Sequence, residues 1–404
     1  MYGRTGMDDK KKSIVRSFKQ ISETGKKNHR IIIFGAGNFG KYACQYCKKI
    51  FPETKISFCD NDKDRQWQTL CECEILPPKA ATKEYPNAIY IVANDFYAHE
   101  MEKQLSLDGI QKNQIYLFGR QDYYSLLSLD EMWQVNQKIY EEITGKFIDK
   151  HALKTFTEKM QYSKIYLSNE QKTRLTDKYL VRKWVEEKIG DRYLVPLLNV
   201  YDTPDDINFD KLPDSFVLKA NHGCEMNLIV PDKRKLNQKQ AVEQMWSWMN
   251  NNFAYYSFEL HYKDIKPCIV AEEYIKEFEK ESFDYKFFCF DGKVKMIMLV
   301  KNIHQQGAER CFYDDRFHVI PCVLNDGVPM PKVPFEKPDG LEKMIHIAEV
   351  LSQGIDQVRV DLYGPKGRIY FGEMTFTSWS GRVKVEPIEV DERLGSYWNM
   401  GDTK

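Results

Sequence analysis

The stretch Val358-Arg-Val-Asp-Leu-Tyr-Gly-Pro-Lys-Gly-Arg-Ile-Tyr-Phe-Gly-Glu-Met-Thr-Phe-Thr377 reads as a β-hairpin. Val358, Val360 and Leu362 alternate with Arg359, Asp361 and Tyr363, the two-residue period of a half-buried strand. Gly364-Pro-Lys-Gly367 supplies the turn, and Ile369 and Phe371 alternate with Arg368, Tyr370 and Gly372 on the return. Asp361 stands on the first strand and Glu373 at the end of the second. Two carboxylates with a hydroxyl, Thr375 or Thr377, are hard oxygen donors of the kind Mg²⁺ takes. Alternation also puts polar groups on the open face of any half-buried hairpin. These residues alone therefore leave both a metal site and a pair of solvated acids open.

Upstream, the same half of the chain brings the cations that such acids would need. Thr176-Asp-Lys178 caps an expected helix running to Lys188 and ended by Gly190. Asp214–Ala220 is an expected strand with Lys219 inside an apolar run, a costly position unless the charge is matched. Asn221–Asn227 is a loop, Leu228–Pro231 a return strand, and Gln238–Phe253 a helix. Cys268–Ile275 is a strand carrying Glu272 and Glu273. Asp284–Leu299 is a hairpin around Asp291-Gly292, with Asp284 and Lys286 near its start, and Leu341–Ser352 is a helix. A nucleoside triphosphate needs these types: cations neutralise phosphate oxygens, and carboxylates hold the Mg²⁺ that bridges them.

The opposite end of the chain has a different signature. Ile31-Ile-Ile-Phe-Gly-Ala-Gly-Asn-Phe-Gly40 is a short apolar strand running into G-x-G-x-x-G, followed by a helical segment to Phe51 and a second strand ending at Asp60. Gly35, Gly37 and Gly40 allow a tight turn and close backbone approach, and an acid at Asp60 suits a ribose hydroxyl. Ala88–Ala93 and Gln114–Phe118 are further strands around a helix from Tyr97 to Leu107. This is an α/β Rossmann-like domain that could take a dinucleotide, another nucleotide, a nucleotide-sugar or nothing. Between the two regions, helical spacing predicts helices over Leu129–Glu142 and Ile148–Met160.

Composition narrows the classes. Lys+Arg and Asp+Glu both number 59, which argues against a dedicated nucleic-acid or anionic-membrane binder. No run is long and apolar enough for membrane insertion, and no apolar signal core follows the polar start. The ten cysteines offer no paired C-x-x-C set, Cys44-Gln-Tyr-Cys47 having no second such motif to match it, so zinc is not expected and free thiols in a reducing cytoplasm are.

Six strings in the second half carry a family resemblance. They are Leu175-Thr-Asp-Lys-Tyr-Leu-Val-Arg182, Leu212–Lys219 with Asn221-His-Gly223, Ala271-Glu-Glu273, Asp284-Tyr-Lys-Phe-Phe-Cys-Phe290, Val358-Arg-Val-Asp361 and Tyr370-Phe-Gly-Glu-Met-Thr375. In this order, residues from about 171 to 400 resemble the ATP-grasp superfamily, specifically its TupA-like branch, associated with teichuronopeptide and other surface-polysaccharide biosynthesis. The resemblance implies an α+β fold of two lobes clasping ATP. It implies Lys178 and Lys219 at the phosphates, and Glu272, Glu273, Tyr274 and Ile275 on a hinge strand by adenine and ribose. Asp284 and Lys286 would line the cleft, and Asp361, Glu373 and Thr375 would hold Mg²⁺, Thr375 replacing the asparagine of many relatives. Cys224-Glu-Met226 departs from the small residues usual after Asn221-His-Gly223, and Trp379 is bulky for its place. The expected domains are a tail (1–28), a Rossmann-like domain (29–122), a helical connector (123–170), a first lobe (171–270) and a second (271–404).

The expected activity is ATP-dependent carboxylate–amine ligation through an acyl phosphate, releasing ADP. The acid would belong to a uronic acid, acidic amino acid or acidic polymer of the cell surface. His222 could take the amine proton. The rivals are a phosphotransferase acting on a sugar or polyol hydroxyl, an NAD(P)-dependent sugar oxidoreductase using Gly35–Gly40, and a non-catalytic assembly scaffold. Peripheral association with polysaccharide assembly machinery would suit the first reading.

Overall fold

The computed structural model describes residues 16–18, 21, 30–94, 97–279, 283–302, 307–364 and 367–401. The tail expected over 1–28 lies almost wholly outside these, as do Pro365 and Lys366 of the hairpin turn. The chain forms two compact units, Met1–Ser128 and Leu129–Lys404.

The first unit is built on β1 (Ile31–Phe34), β2 (Ile56–Cys59), β3 (Cys73–Leu76), β4 (Ile89–Val92) and β5 (Ile115–Leu117). All five are parallel, in the order β5-β4-β1-β2-β3. The short strands Arg16–Ser17 and Thr69–Leu70 lie at the two edges. Ile31, Ile32, Ile33 and Phe34 are all buried, as a parallel strand covered on both faces requires. The helices α1 (Asn38–Ile50), α2 (Pro78–Glu84) and α3 (Ala98–Leu107) complete the doubly wound pattern.

The second unit opens with α4 (Leu129–Thr144) and α5 (Phe156–Tyr166). The helix expected from Ile148 starts only at Phe156. Thr155 accepts from Glu158 N at 3.2 Å, and Glu158 Oε2 accepts from Thr155 N at 3.0 Å, so a capping box sets the start. This pair of helices is no free-standing connector, because it packs within the second unit. Phe156 meets Phe288, Phe290 and Trp398 with ring centroids 5.6–6.2 Å apart. Tyr140 OH lies 3.0 Å from Thr157 Oγ1, which donates to Asp391 at 2.5 Å.

Next come α6 (Glu170–Thr176), which was not expected, and α7 (Val181–Ile189), the helix expected up to Lys188 and ended by Gly190. The break is at Asp177, whose Oδ1 accepts from the N–H groups of Tyr179 and Leu180 at 2.8 and 3.1 Å. An antiparallel sheet follows, in the order β8-β7-β9-β6, from β6 (Leu197–Tyr201), β7 (Phe216–Ala220), β8 (Asn227–Val230) and β9 (Ile269–Glu273). One face packs on α8 (Gln238–Met249) through Leu218, Ala220, Ala241 and Met245. The boundary expected at 270/271 therefore falls inside β9.

The second sheet, also antiparallel, comprises β10 (Phe283–Phe290), β11 (Lys293–Lys301), β12 (Glu309–Tyr313), β13 (Val319–Ile320), β14 (Gln357–Tyr363) and β15 (Tyr370–Thr375). Its order is β13-β12-β11-β10-β14-β15. Asp291 (φ 48°) and Gly292 (φ 72°) make the expected tight turn between β10 and β11. One face, with Phe287, Val358, Val360 and Leu362, packs against α7 and α9 (Leu341–Leu351). The other is apolar at one end, where Phe288 and Phe290 meet α5 and α10 (Ile388–Tyr397). At its other end that face carries Lys286, Arg359 and Asp361, in register as Lys286↔Asp361 and Phe288↔Arg359.

Candidate nucleotide site

Simple alternation from Ile369 and Phe371 would put Glu373 on the apolar face of its strand. The structure puts it beside Asp361 instead. Leu362 pairs with Phe371 and Asp361 with Glu373, so Gly372 is the extra residue of a β-bulge. A Cβ at Gly372 would lie 2.7 Å from the Tyr363 ring and 3.1 Å from Asp361 O, so only glycine fits. Lys286, Asp361 and Glu373 thus stand side by side across three strands.

A residue that sequence reasoning passed over holds them together. Arg359 lies two positions before Asp361, on the same face. Its Nη2 is 2.8 Å from Asp361 Oδ2, 3.2 Å from Glu373 Oε1 and 3.0 Å from Thr375 Oγ1. The three oxygens expected to bind Mg²⁺ therefore converge on one point, and a guanidinium nitrogen takes it. Burial would lower the pKa of Arg359, yet Asp361 and Glu373 raise it. Burial would raise that of Asp361, yet Arg359 and Lys286, with Nζ 2.6 Å away, hold it below the ordinary carboxylate value. Lys286 also lies 3.7 Å from Asp284. Among the described residues no three His, Cys, Asp or Glu side chains are grouped to hold a metal ion. Beside a nucleotide, however, Mg²⁺ ordinarily takes one or two carboxylates and fills its remaining positions with phosphate and water. The donor set fits that mode.

Lys178, from the other lobe, is fixed on the loop after β7. Its backbone N–H donates to Asn221 O at 3.1 Å, and its Nζ donates to the Gly223 carbonyl. The base of this loop is rigid: Asn221 donates to Asp177 and the Lys266 carbonyl and accepts from Cys268 N at 2.8 Å. The tip lies within electrostatic reach of the hairpin. Although Cys224 is exposed as a whole residue, loss of solvent around its thiol and then Glu373 push that thiol up to about 11, with Lys178 and Arg359 acting in the opposite direction. Glu225, at φ 58°, is exposed. His222 is not placed to take a proton from an amine. It is buried, its Nδ1 faces Asn221 Oδ1 at 3.2 Å, and its Nε2 faces the Trp248 carbonyl at 3.0 Å. Burial lowers its pKa. It ties the loop to the end of α8.

Lys219 and Glu272 form a second cluster. Lys219 Nζ is 2.7 Å from Glu272 Oε2, so the lysine in its apolar strand is matched. Arg182 Nη1, unforeseen from sequence, meets Glu272 Oε1 at 2.8 Å. Glu272 is thereby spent on two internal cations. Glu273 is exposed, with its N–H on the Pro196 carbonyl, and Tyr274 and Ile275 follow half-buried. Trp379 stacks on Phe288 and lies under Arg310, so packing accounts for it.

In the first unit Gly35 (φ +108°) and Gly40 are needed sterically, since a Cβ on Gly40 would meet Gly35 O at 1.9 Å. Gly35, Gly37 and Asp60, but not Gly40, line a cavity of about 450 Å³ at the carboxyl ends of β1 and β4. Asp60 already accepts from Ala36 N at 2.6 Å and Asp62 N at 2.9 Å. Arg65 donates to Ala36 O at 2.9 Å. Among the described residues no helix is long and apolar enough to cross a membrane.

A search of curated proteins finds no match. Among solved structures, D-cycloserine synthetase is 10% identical, with 92% of this chain and 98% of that one covered and a TM-score of 0.32. D-alanine–D-alanine ligase from Bacillus anthracis is 14% identical, with 86% of each chain covered and a TM-score of 0.29. Phosphoribosylamine–glycine ligase from Thermotoga maritima is 11% identical, with 86% and 68% covered and a TM-score of 0.31. The profile of the TupA-like ATP-grasp family matches residues 158–399, more than half of the chain. The hairpin, the two sheets and this match lead to one conclusion: the chain belongs to the TupA-like ATP-grasp family.

Proposed function

We propose that this ATP-grasp ligase joins a carboxylate to an amine through an acyl phosphate. The observation that carries the reading is the convergence of Asp361, Glu373 and Thr375 on the Arg359 guanidinium, beside Lys286. A carboxylate oxygen of the substrate attacks the γ-phosphorus of ATP, the bond to the bridging oxygen breaks, and ADP leaves. The amine then attacks the acyl carbon, loses a proton, and inorganic phosphate departs. Arg359, Lys286 and Lys178 meet the negative charge spread over the transferring phosphoryl oxygens. Glu373 and Asp361, with Thr375, would hold Mg²⁺, which would supply further neutralisation of phosphate charge. With His222 turned inward, the amine proton passes to solvent or to the departing phosphate. The acid is proposed to be a uronic acid or acidic polymer of a cell-surface polysaccharide, handled in the cytoplasm near the assembly machinery.

Turnover of ATP and Mg²⁺ against a panel of uronic acids and amino acids tests this, with hydroxylamine as a trap. ADP and a hydroxamate are expected. AMP, or a stable phosphoester, would overturn the ligase reading.

The cavity of about 450 Å³ in the first unit favours a second nucleotide there, a nucleotide-sugar or a dinucleotide. Fluorescence titration with NADH, competed by a nucleotide-sugar, tests it. No quenching and no competition would dismiss both.

A further inference from the structure

Immediately beyond the hairpin the chain makes a turn that backbone preference opposes. Trp379 (φ 52°, ψ 27°), Ser380 (φ 56°, ψ 17°) and Gly381 (φ 63°) are three consecutive left-handed residues. In two of them the Cβ crowds the following carbonyl. Such a turn persists only where its surroundings over-determine it. Gln161 Nε2 and Lys164 Nζ, both from α5, donate to the Ser380 carbonyl at 3.1 and 2.9 Å. Glu259 accepts the Thr377 hydroxyl on one oxygen and the Ser380 hydroxyl, at 2.6 Å, on the other. A Cβ on Gly381 would lie 2.2 Å from Gln161 Nε2.

Lys164 and Glu259 are both buried. Apolar packing could join α5 to this turn without the penalty of burying ionisable groups. Burial, with the like charge of Arg382, drives the Lys164 amine well below the usual lysine range, and Glu259 acts in the opposite direction. What the turn delivers is Ser378. Its hydroxyl accepts from Arg359 Nη1 at 3.0 Å. Nη1 is the arm of the guanidinium that the Asp361 carboxylate does not hold. Arg359 is therefore set from two sides, by Asp361 and by the turn.

We propose that Lys164 and Glu259 are positioning residues: through the Trp379–Gly381 turn and Ser378 they set the Arg359 guanidinium against the transferring phosphoryl group. The proposal rests on the hairpin being the phosphoryl-transfer site. Neither residue touches the reacting atoms.

The test compares the affinity of the full chain for Mg·ADP with that for Mg·ADP plus aluminium fluoride, a mimic of the phosphoryl group in transfer that needs no acceptor. Glu259→Ala, Lys164→Met and Ser378→Ala are expected to keep Mg·ADP binding within about twofold and to cut the fluoroaluminate gain by about tenfold or more. Glu259→Gln keeps an acceptor oxygen and should recover part of that gain. Arg359→Gln separates the two levels of argument. If it retains the gain, or if the wild-type chain shows none, the hairpin is not the phosphoryl-transfer site. If Arg359→Gln loses the gain while the Lys164, Glu259 and Ser378 variants keep it, the positioning role is overturned. Ser378→Ala removes one hydroxyl only, so it decides the matter even if the buried-charge variants fail to fold.

Discussion

Arg359 and Asp361, two residues apart on one face of β14, are joined by hydrogen bonds of 2.6 Å (Nε–Oδ1) and 2.8 Å (Nη2–Oδ2). Lys286 adds a third contact to the same carboxylate at 2.6 Å. Burial opposes the charge on Asp361, and the two cations more than offset it, so its pKa is depressed in the folded chain. A depressed carboxyl stabilises the fold above its unfolded pKa of about 3.9, and that contribution is lost as pH falls through the folded value. Asp361→Asn should cost about 3–5 kcal/mol in urea unfolding at neutral pH, because it strands two buried cations. It should also flatten the stability profile below about pH 4. A loss under about 1 kcal/mol would show that the network is not a structural unit.

Gly372 decides which way Glu373 faces. Gly372→Ala places a Cβ 2.7 Å from the Tyr363 ring, so either the ring shifts or the bulge relaxes. Relaxation would turn Glu373 towards the apolar face. ATP turnover should fall by about a hundredfold, comparable to Glu373→Gln, with a stability loss of about 1–3 kcal/mol. Turnover intact at reduced stability would argue that Glu373 holds its place without the bulge.

Glu272 is pinned by Arg182 and Lys219, but the three are not equal. Lys219 keeps 31% of its side chain exposed, and Glu272 keeps 9%. Removing the lysine leaves the carboxylate one buried partner, whereas removing the carboxylate leaves Arg182 without its anion. Glu272→Ala should therefore cost about 3 kcal/mol or more and Lys219→Ala about 1 kcal/mol or less. Thermal melts of the two variants measure the difference. If ATP contacts Lys219, its alanine variant should still lose nucleotide affinity disproportionately.

His261 supplies a pH test away from the cleft. Burial, then Lys172 and Lys164, push its pKa down to about 3, and Nε2 has no hydrogen-bond partner. A histidine depressed in the folded state takes up its proton on unfolding once pH drops below the unfolded value of about 6.5. Stability should fall between there and about 3, at up to about 1.4 kcal/mol per pH unit from this residue. His261→Phe should remove that slope, as read from chemical unfolding at pH 7, 6, 5 and 4. An unchanged slope would show that the side chain is charged in the folded chain.

Residue type and order along the chain, with the family resemblance, grouped the candidate side chains from the sequence. Lys286, Asp361 and Glu373 were expected to act together, and register sets them side by side. The bulge was hidden, because period-two alternation carries no sign of an inserted residue until the partner strand is known. Arg359 could have been found, since residues two apart share a face. The Thr155-Phe-Thr-Glu158 capping box was also readable and fixes the start of α5. Glu259 and Lys164 had no such signal, for their importance lies in contacts across more than a hundred residues. His222 misled for the opposite reason: a histidine after an asparagine suggests chemistry, and burial against two carbonyl-type oxygens removes it.

The family match opens at residue 158, inside α5, yet the physical seam lies earlier. Asn136 on α4 is wholly buried, donates to Gln161 at 3.0 Å and accepts from Arg382 at 2.9 Å. A fragment trimmed to the matched residues would lose that amide, the cap at Thr155 and the Phe156 ring together. The shortest heritable and expressible form of this catalyst should therefore begin near Leu129, with the helical pair carried along as part of the enzyme and not as a spacer.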